Sequence, residues 1–288
     1  AAHAGGWSRA AMQGFLAAQA KQGRSVESAL RDLRGRVMLR IMERDLTGLA
    51  PLFEVCQAMT ELAEVAIESA IAAVTPELDR SFGIPVAPSS GTRQPFIVVG
   101  MGKLGGGELN VSSDIDMVFA YPEDGQTDTS QGGREVSVHE YFSALGMRIN
   151  ALLNKPTAEG FVFRVDMRLR PWGDSGPLTL SVDALEQYLV AHGREWERYA
   201  WIKGRALTGD AASHRALADV VRPFVFRKYL DYGAFAAMRD LHAQIREEVA
   251  RREFADHIKL GPGGIREIEF IAQAFQLIRG GREQALQA

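Results

Sequence analysis

Apolar residues recur at helical spacing through the first third of the chain. Between about residues 25 and 74 they form two stripes, one from Leu30 to Ile41 and the other from Leu52 to Ile71. A repeat at every third or fourth position places such side chains on one side of a helix. Pro51 precedes the second stripe, and proline is well suited to the first turn of a helix. The pattern predicts packing helices here, without chemistry of their own.

The pattern then changes to short strands. Residues 96–99 and 115–121 are continuous apolar runs, which predict strands buried on both faces. Five glycines fall within residues 100–107, between the two runs. Residues 138–153 return to helical spacing, and residues 161–169 alternate strictly between apolar and polar positions. Strict alternation predicts a strand with one buried face, and this segment carries the clearest strand signal in the chain.

The last third is helical again. Ser181 is a candidate N-cap, and helical patterns follow at residues 185–203, 211–229, 234–252 and 265–278.

This order predicts an α+β fold in three parts. We expect an N-terminal helical region at residues 1–92, a catalytic core with a mixed sheet at residues 93–180, and a C-terminal helical bundle at residues 181–288. A chain of 288 residues is long enough to bury a substantial core. We expect the binding cleft to lie between the core and the bundle.

Composition narrows the classes of partner. The net charge of −3 and the pI near 6.1 give no basic field for nucleic acid, so we expect no nucleic-acid partner. No stretch approaches the ~20 apolar residues that span a bilayer, so we expect no membrane partner. The lone Cys56 fits a reducing compartment, and we expect the cytoplasm. The sequence begins without Met, and we expect it to be a piece of a longer polypeptide.

Two carboxylates stand at the start of the second apolar run. Asp114 and Asp116 are two positions apart, so a strand projects both from one face. Carboxylates held together repel each other and need a compensating cation, and oxygen ligands suit Mg²⁺ or Mn²⁺. The alternative is an exposed strand end with two solvated acids.

The glycine-rich segment strengthens the metal hypothesis. Backbone without Cβ atoms can bring N–H groups against phosphate oxygens, and a lysine supplies positive charge there. Ser113 has no histidine in a suggestive position, so we predict a phosphate contact rather than a nucleophile. A flexible turn is the alternative. The predicted phosphate-binding residues of this segment are Gly102, Lys103, Gly105, Gly106 and Ser113.

The alternating segment adds a third acid among arginines. Arg164, Arg168 and Arg170 surround Asp166 on the polar side of the pattern. Guanidinium groups hold phosphate, and a single acid can complete a metal site. The alternative is an arginine–aspartate ladder on a solvated sheet. Three carboxylates, a glycine segment and arginines together favour two-metal phosphoryl or nucleotidyl transfer.

Four segments of the chain carry a resemblance to a known family. They are GMGKLGGGELNVSSDIDMVF, FRVDMRLRPWGDSGPL, REWERYAWIKGRAL and GPGGIREIEFIAQ. From about Ser25 onward, the chain resembles the bacterial glutamine synthetase adenylyltransferase/adenylyl-removing enzymes. The resemblance implies a nucleotidyltransferase fold in which Asp114, Asp116 and Asp166 match the acids that bind metal and catalyse. It implies Mg²⁺, as two ions, with Mn²⁺ as a second possibility.

The family has two nucleotidyltransferase domains. The sequence of residues 109–116, LNVSSDID, is similar to that of the N-terminal, adenylyl-removing domain. The resemblance implies that inorganic phosphate attacks the AMP–tyrosine phosphodiester of glutamine synthetase, giving ADP and free tyrosine. It implies glutamine synthetase, the PII signal protein, ADP or ATP, and phosphate as partners. Lys203 and Arg205 would reach the same cleft, or are solvated charges at a helix end.

Two alternatives remain open from the sequence. The same fold could attach AMP to glutamine synthetase with ATP as donor. The chain could instead be a non-catalytic module that docks glutamine synthetase or PII, with vestigial acids.

Overall fold

A computed structural model of the chain describes residues 6–227, 243, 247, 258–259, 261 and 263–287. The chain divides into two units by its internal contacts. The first unit contains Ala1–Ala184 and Gly204–His214, and the second contains Leu185–Lys203 and Arg215–Ala288.

Three helices precede the sheet in the first unit: α1 (Arg9–Lys21), α2 (Val26–Leu46) and α3 (Leu52–Phe82). The Ser25 hydroxyl accepts the N–H of Ser28 and caps α2. The helices predicted from residue 25 onward are confirmed, and α3 continues past the predicted end at residue 74. The sequence analysis did not single out α1, which packs against both α2 and α3.

A five-stranded mixed sheet forms the centre of the first unit. Its strands are β2 (Ile97–Gly100), β3 (Ile115–Tyr121), β5 (Val165–Asp166), β6 (Thr179–Ser181) and β7 (Arg205–Ala206). The order is β5-β3-β2-β7, and β6 pairs with the end of β3. Strands β2 and β7 run antiparallel to their neighbours, whereas β5 and β6 run parallel to β3.

Three smaller pieces complete the region around the sheet. A single helical turn, α4 (Gly102–Gly105), follows β2 directly. The strands β1 (Ile84–Pro85) and β4 (Thr127–Asp128) form a separate two-stranded ladder.

The core of the first unit lies where α3 and α5 (Val138–Asn154) pack together and α5 meets the sheet. Phe142 of α5 stacks on Phe96 and on Tyr121 of β3. The apolar run predicted at residues 115–121 coincides with β3 because both faces of that strand are covered.

The segment at residues 161–169 differs from its prediction as a long strand. Only Val165–Asp166 forms a strand. The N–H groups of Val162 and Phe163 both donate to the Leu153 carbonyl, so they are not available to a ladder. After the strand, the Asp166 carboxylate accepts the Arg168 N–H and the chain turns away.

The remaining described helices are α6 (Val182–Ala191), α7 (Glu195–Trp201), α8 (Ala211–Val225) and α9 (Ile265–Arg279). Ser181 caps α6, as predicted, through the N–H of Ala184. The single helix predicted at residues 185–203 is wrong, because a new helix starts after Arg194, where the Glu197 carboxylate accepts the Arg194 N–H and the Glu197 N–H donates to the Arg194 carbonyl. The helix predicted at residues 234–252 lies outside the described residues, apart from positions 243 and 247.

The α+β fold class with a mixed sheet is confirmed. Helices α1–α3 share one hydrophobic core with the sheet. These contacts therefore do not mark where one independently folding domain ends and the next begins. The boundaries at residues 92 and 180 therefore stay predictions.

Candidate active site

The three predicted acids lie on neighbouring strands of the sheet. Asp114 directly precedes β3, and Asp116 is its second residue. In the parallel pairing of β3 with β5, Asp116 stands in register with Asp166. Residues in register on adjacent strands project from the same face. The backbone therefore brings Asp116 beside Asp166, with Asp114 two positions earlier on the same strand.

Two of these acids are paired with arginines from the segment that contains Asp166. Arg164 Nε donates to Asp114 Oδ1 at 2.5 Å, and Arg168 Nη2 donates to Asp166 Oδ2 at 2.5 Å. The hydrogen bond from Arg168 holds the pKa of Asp166 below its usual range. The arginine side chains are 53% and 75% exposed. Exposed pairs of this kind contribute about 0–1 kcal/mol, so other ions can replace them.

The acids fit a divalent cation in chemistry and in backbone position. Among residues 6–227 and the other described positions, no group of three His, Cys, Asp or Glu side chains is arranged to hold a metal ion. Asp114 and Asp166 are instead hydrogen-bonded to guanidinium groups. Carboxylate oxygens are the ligands that Mg²⁺ prefers. Metal binding at these acids stays a prediction that requires the arginines to be exchanged.

The glycine turn, residues 102–106, lies against Asp116. Met101 N–H donates to the Asp116 carbonyl at 2.9 Å, which brings the turn directly over the strand. Gly102 has a φ of +51°, and a Cβ atom placed there would lie 3.1 Å from Asp116 Oδ2. Both the backbone conformation and the close approach favour glycine at this position. Lys103 is half-buried on the same turn.

Arg205 contacts the back of the glycine turn. Its guanidinium donates to the carbonyls of Gly105 and Leu104, at 2.9 and 3.2 Å, and to Glu64 of α3 at 2.7 Å. Glu64 also pairs with Arg9 of α1. In this structure Arg205 therefore supports the turn, and its predicted contact with phosphate stays untested.

The other predicted residues are placed in different ways. Ser113 donates its hydroxyl to Asn110 Oδ1 at 2.7 Å and so closes the turn before Asp114. Arg170 is largely buried and donates to the carbonyl of Met167 within its own turn. Lys203 belongs to the second unit, where it pairs with Glu269 at 3.4 Å. The structure thus gathers the acids, the glycine turn, Arg164 and Arg168, whereas Arg170 makes its hydrogen bond within its own turn and contributes to the lowered pKa of Asp166 through its charge.

The sequence analysis missed several residues around the site. Glu64 and Arg34 come from helices that were predicted to have packing roles only. Trp172 has a positive φ of 59°, a conformation that a bulky residue rarely adopts, in the turn after Asp166. Nothing in the local sequence distinguishes a helical residue that contacts a segment more than a hundred positions away. The tryptophan, in contrast, lies between a proline and a glycine, and this local sequence could have drawn attention to it.

Similarity to known proteins agrees with this arrangement. A mixed α+β core with carboxylates beside a glycine turn is consistent with a nucleotidyltransferase-type domain. The family model described as glutamate-ammonia ligase adenylyltransferase matches residues 4–219, and the chain belongs to this family. A second model, described as GlnD PII-uridylyltransferase, matches residues 239–287.

Curated relatives carry one name, bifunctional glutamine synthetase adenylyltransferase/adenylyl-removing enzyme. The relative from Chromobacterium violaceum is 62% identical over 259 residues, covering 90% of this chain and 28% of the relative. The relative from Nitrosomonas eutropha is 56% identical, covering 89% and 28% respectively. The relative from Aromatoleum aromaticum is 54% identical, covering 96% and 29%. The chain thus spans less than a third of the length of these relatives.

In the described part of the chain, no helix is both long enough and apolar enough to span a membrane.

Proposed function

We propose that this chain removes AMP from the adenylylated tyrosine of glutamine synthetase by metal-dependent phosphorolysis. The observation that carries the proposal is the register of Asp116 with Asp166, next to a glycine turn that approaches Asp116 closely. The names of the relatives support glutamine synthetase as the substrate, and the sequence of residues 109–116 favours the removing activity. The PII signal protein as regulator rests on the resemblance, a cytoplasmic location rests on the lone Cys56, and both remain predictions.

In the proposed reaction, an oxygen of inorganic phosphate attacks the phosphorus of the AMP–tyrosine diester. The new P–O bond gives ADP, while the bond from phosphorus to the tyrosine oxygen breaks and that oxygen takes up a proton. A pair of Mg²⁺ ions, or Mn²⁺, would stabilise the charge that develops around phosphorus.

The residues of the chain have separate tasks in this reaction. Asp114, Asp116 and Asp166 would hold the metal. Once their carboxylates have metal partners, Arg164 and Arg168 become available to phosphate oxygens, for which guanidinium groups are well matched. The glycine turn allows phosphate to approach without a side chain in the way.

The test uses the intact protein with adenylylated glutamine synthetase, Mg²⁺ and phosphate, and follows ADP by chromatography. We expect ADP only when phosphate is present, and we expect EDTA to stop its formation. In the same preparation, transfer of label from ATP to unmodified glutamine synthetase reports the attaching activity. Asp114→Asn should abolish ADP formation and leave ATP-dependent labelling intact.

The opposite result, lost labelling with ADP formation retained, would assign this chain to the attaching activity. If both activities survive Asp114→Asn while binding of glutamine synthetase depends on this chain, the chain is a docking module. The relatives are named for both activities, so the attaching reaction is the second candidate.

A further inference from the structure

Two arginines approach one aromatic ring close to Asp114. The guanidinium carbon of Arg34, on α2, lies 4.8 Å from the centroid of the Phe161 ring. The guanidinium carbon of Arg164 lies 5.7 Å from the same centroid. Arg164 in turn donates to Asp114 and to the carbonyl of Ser112. We call Arg34 and Arg164 the arginine pair.

Arg34 has no counterion among the described residues. Its Nε is buried and has no hydrogen-bond partner, and no ion pair of Arg34 occurs among the described residues. Burial, together with the positive charge of Arg164, lowers the pKa of the Arg34 guanidinium. A charged group that is partly withdrawn from water next to a like charge destabilises the ligand-free protein. Such a position is explained when an anion supplies the missing partner.

Arg31, one turn earlier on the same helix, shows what a structural arginine looks like here. It is buried, and its guanidinium donates to the carbonyls of Glu27, Lys155 and Gly160 at 2.8 to 2.9 Å. Each of its three guanidinium nitrogens donates to a carbonyl of the protein's own backbone. Arg34 lies on the same helix but lacks such acceptors among the described residues, so packing of the loop at residues 155–160 does not explain it.

We propose that the arginine pair, Arg34 and Arg164, binds the inorganic phosphate that attacks the diester, beside Asp114. The inference rests on the proposed phosphorolysis for the identity of the ligand. Phosphate is a dianion near neutral pH and accepts hydrogen bonds on several oxygens, which matches two guanidinium groups better than one. Because Arg164 also contacts Asp114, an anion held there lies next to the acids that would bind metal. Metal binding at Asp114 would free Arg164 for the anion.

The experiment compares Arg34→Met with Arg36→Gln in the intact protein. Arg36 lies on the same helix but is exposed, pairs with Asp32 and lies over the Phe15 ring rather than Phe161, so Arg36→Gln is the control. Thermal unfolding is followed while inorganic phosphate is titrated, and the KM for phosphate is measured in the ADP-forming assay. AMP is titrated in parallel, because its phosphate group is the other possible source of the same chemistry.

We expect Arg34→Met to weaken phosphate binding and raise the KM for phosphate at least tenfold, with a much smaller change in kcat. Arg34→Lys should recover part of the affinity. The unfolding midpoint of ligand-free Arg34→Met should equal or exceed that of the unmodified protein, because an unpaired charge has been removed. Arg36→Gln should leave phosphate binding, the KM for phosphate and kcat unchanged.

Three results would overturn the assignment. A lower unfolding midpoint for Arg34→Met with an unchanged KM for phosphate means that Arg34 is structural. A loss of AMP binding with unchanged phosphate binding means that the pair holds the nucleotide. An unmodified protein that phosphate does not stabilise has no such site. Failure of the proposed function is distinct: no ADP forms, yet phosphate-dependent stabilisation that is lost in Arg34→Met still supports the anion site.

Discussion

The acids at the start of β3 lie between the glycine turn on the β2 side and two arginines on the β5 side. These two neighbours are held in place by different kinds of contact. On the β2 side, the glycine turn is fixed through backbone carbonyls that accept from Arg205. On the β5 side, Arg164 and Arg168 donate to the acids themselves and are exposed. Contacts to the backbone persist when ligands bind, whereas exposed carboxylate–guanidinium pairs are exchanged at little cost. The site therefore combines one fixed side with one side that ions can rearrange.

The largest effect is expected at the acids that both sides share. Asp116→Asn should reduce ADP formation by roughly a hundredfold or more, because a carboxylate that holds charge-stabilising metal is lost. The unfolding midpoint should not fall appreciably, because losing this carboxylate also removes repulsion between neighbouring acids. Kinetics and calorimetry on the same preparation check both statements. Loss of folding in Asp116→Asn would instead give this acid a structural role.

A change in the glycine turn tests whether the β2 side is fixed by close contact. Gly102→Ala and Gly107→Ala both place a side chain at positive φ, which costs about 1–2 kcal/mol of stability in each. Only the Cβ at position 102 meets Asp116, because nothing lies within 4 Å of the one at position 107. We expect turnover to fall roughly thirtyfold in Gly102→Ala alone. Equal turnover in the two variants would contradict the contact.

Removing the support behind the turn should have a smaller effect. Arg205→Met should lower turnover roughly tenfold, because the turn can then move relative to Asp116. It should lower the free energy of unfolding by about 1–2 kcal/mol through lost charge-assisted hydrogen bonds. Arg93→Gln is the matched control: Arg93 also pairs with a carboxylate and is 43% exposed, against 44% for Arg205. If both variants lose turnover equally, support of the turn is not the cause.

The smallest effect is expected on the exchangeable side. Arg168→Gln removes a cation that competes with Mg²⁺ for Asp166, so Mg²⁺ should bind more tightly, by about fivefold or less. Isothermal titration with Mg²⁺ measures this directly, and Arg134→Gln provides a control because exposed Arg134 pairs with Glu140 and lies over Phe82, not against the three acids. Weaker Mg²⁺ binding in Arg168→Gln would mean that Arg168 orients Asp166 for the metal.

The sequence predicted the β2 side of the site better than the β5 side. The bounds of β3 follow from an apolar run that begins directly after Asp114, since burial on both faces leaves little freedom in where the strand lies. At residues 161–169, the alternation predicted the burial of some side chains correctly. It did not predict which backbone N–H groups take part in the strand. The Leu153 carbonyl takes two of its N–H groups, and a residue outside the segment cannot be seen in its own periodicity.

Contacts between distant segments set the second limit. The bond from Arg205 to Gly105 joins residues 100 positions apart, and the position of Arg34 beside Phe161 depends on how α2 packs. An arginine in a helical pattern has the same appearance in sequence whether it is solvated, structural or part of a binding site. Its burial and its partners, which distinguish these cases, arise only from the tertiary fold.

The three carbonyl contacts of Arg31 have a practical consequence for dissecting this protein. Two of them hold the loop at residues 155–160, which leads directly into the segment with Asp166. The same helix buries Leu30 and Leu33 completely against the core. An expression fragment trimmed to the sheet region at residues 93–180 would lose both the anchor of that loop and part of its apolar packing. The smallest fragment that keeps the geometry of the acids therefore has to begin before Ser25, the residue that caps α2.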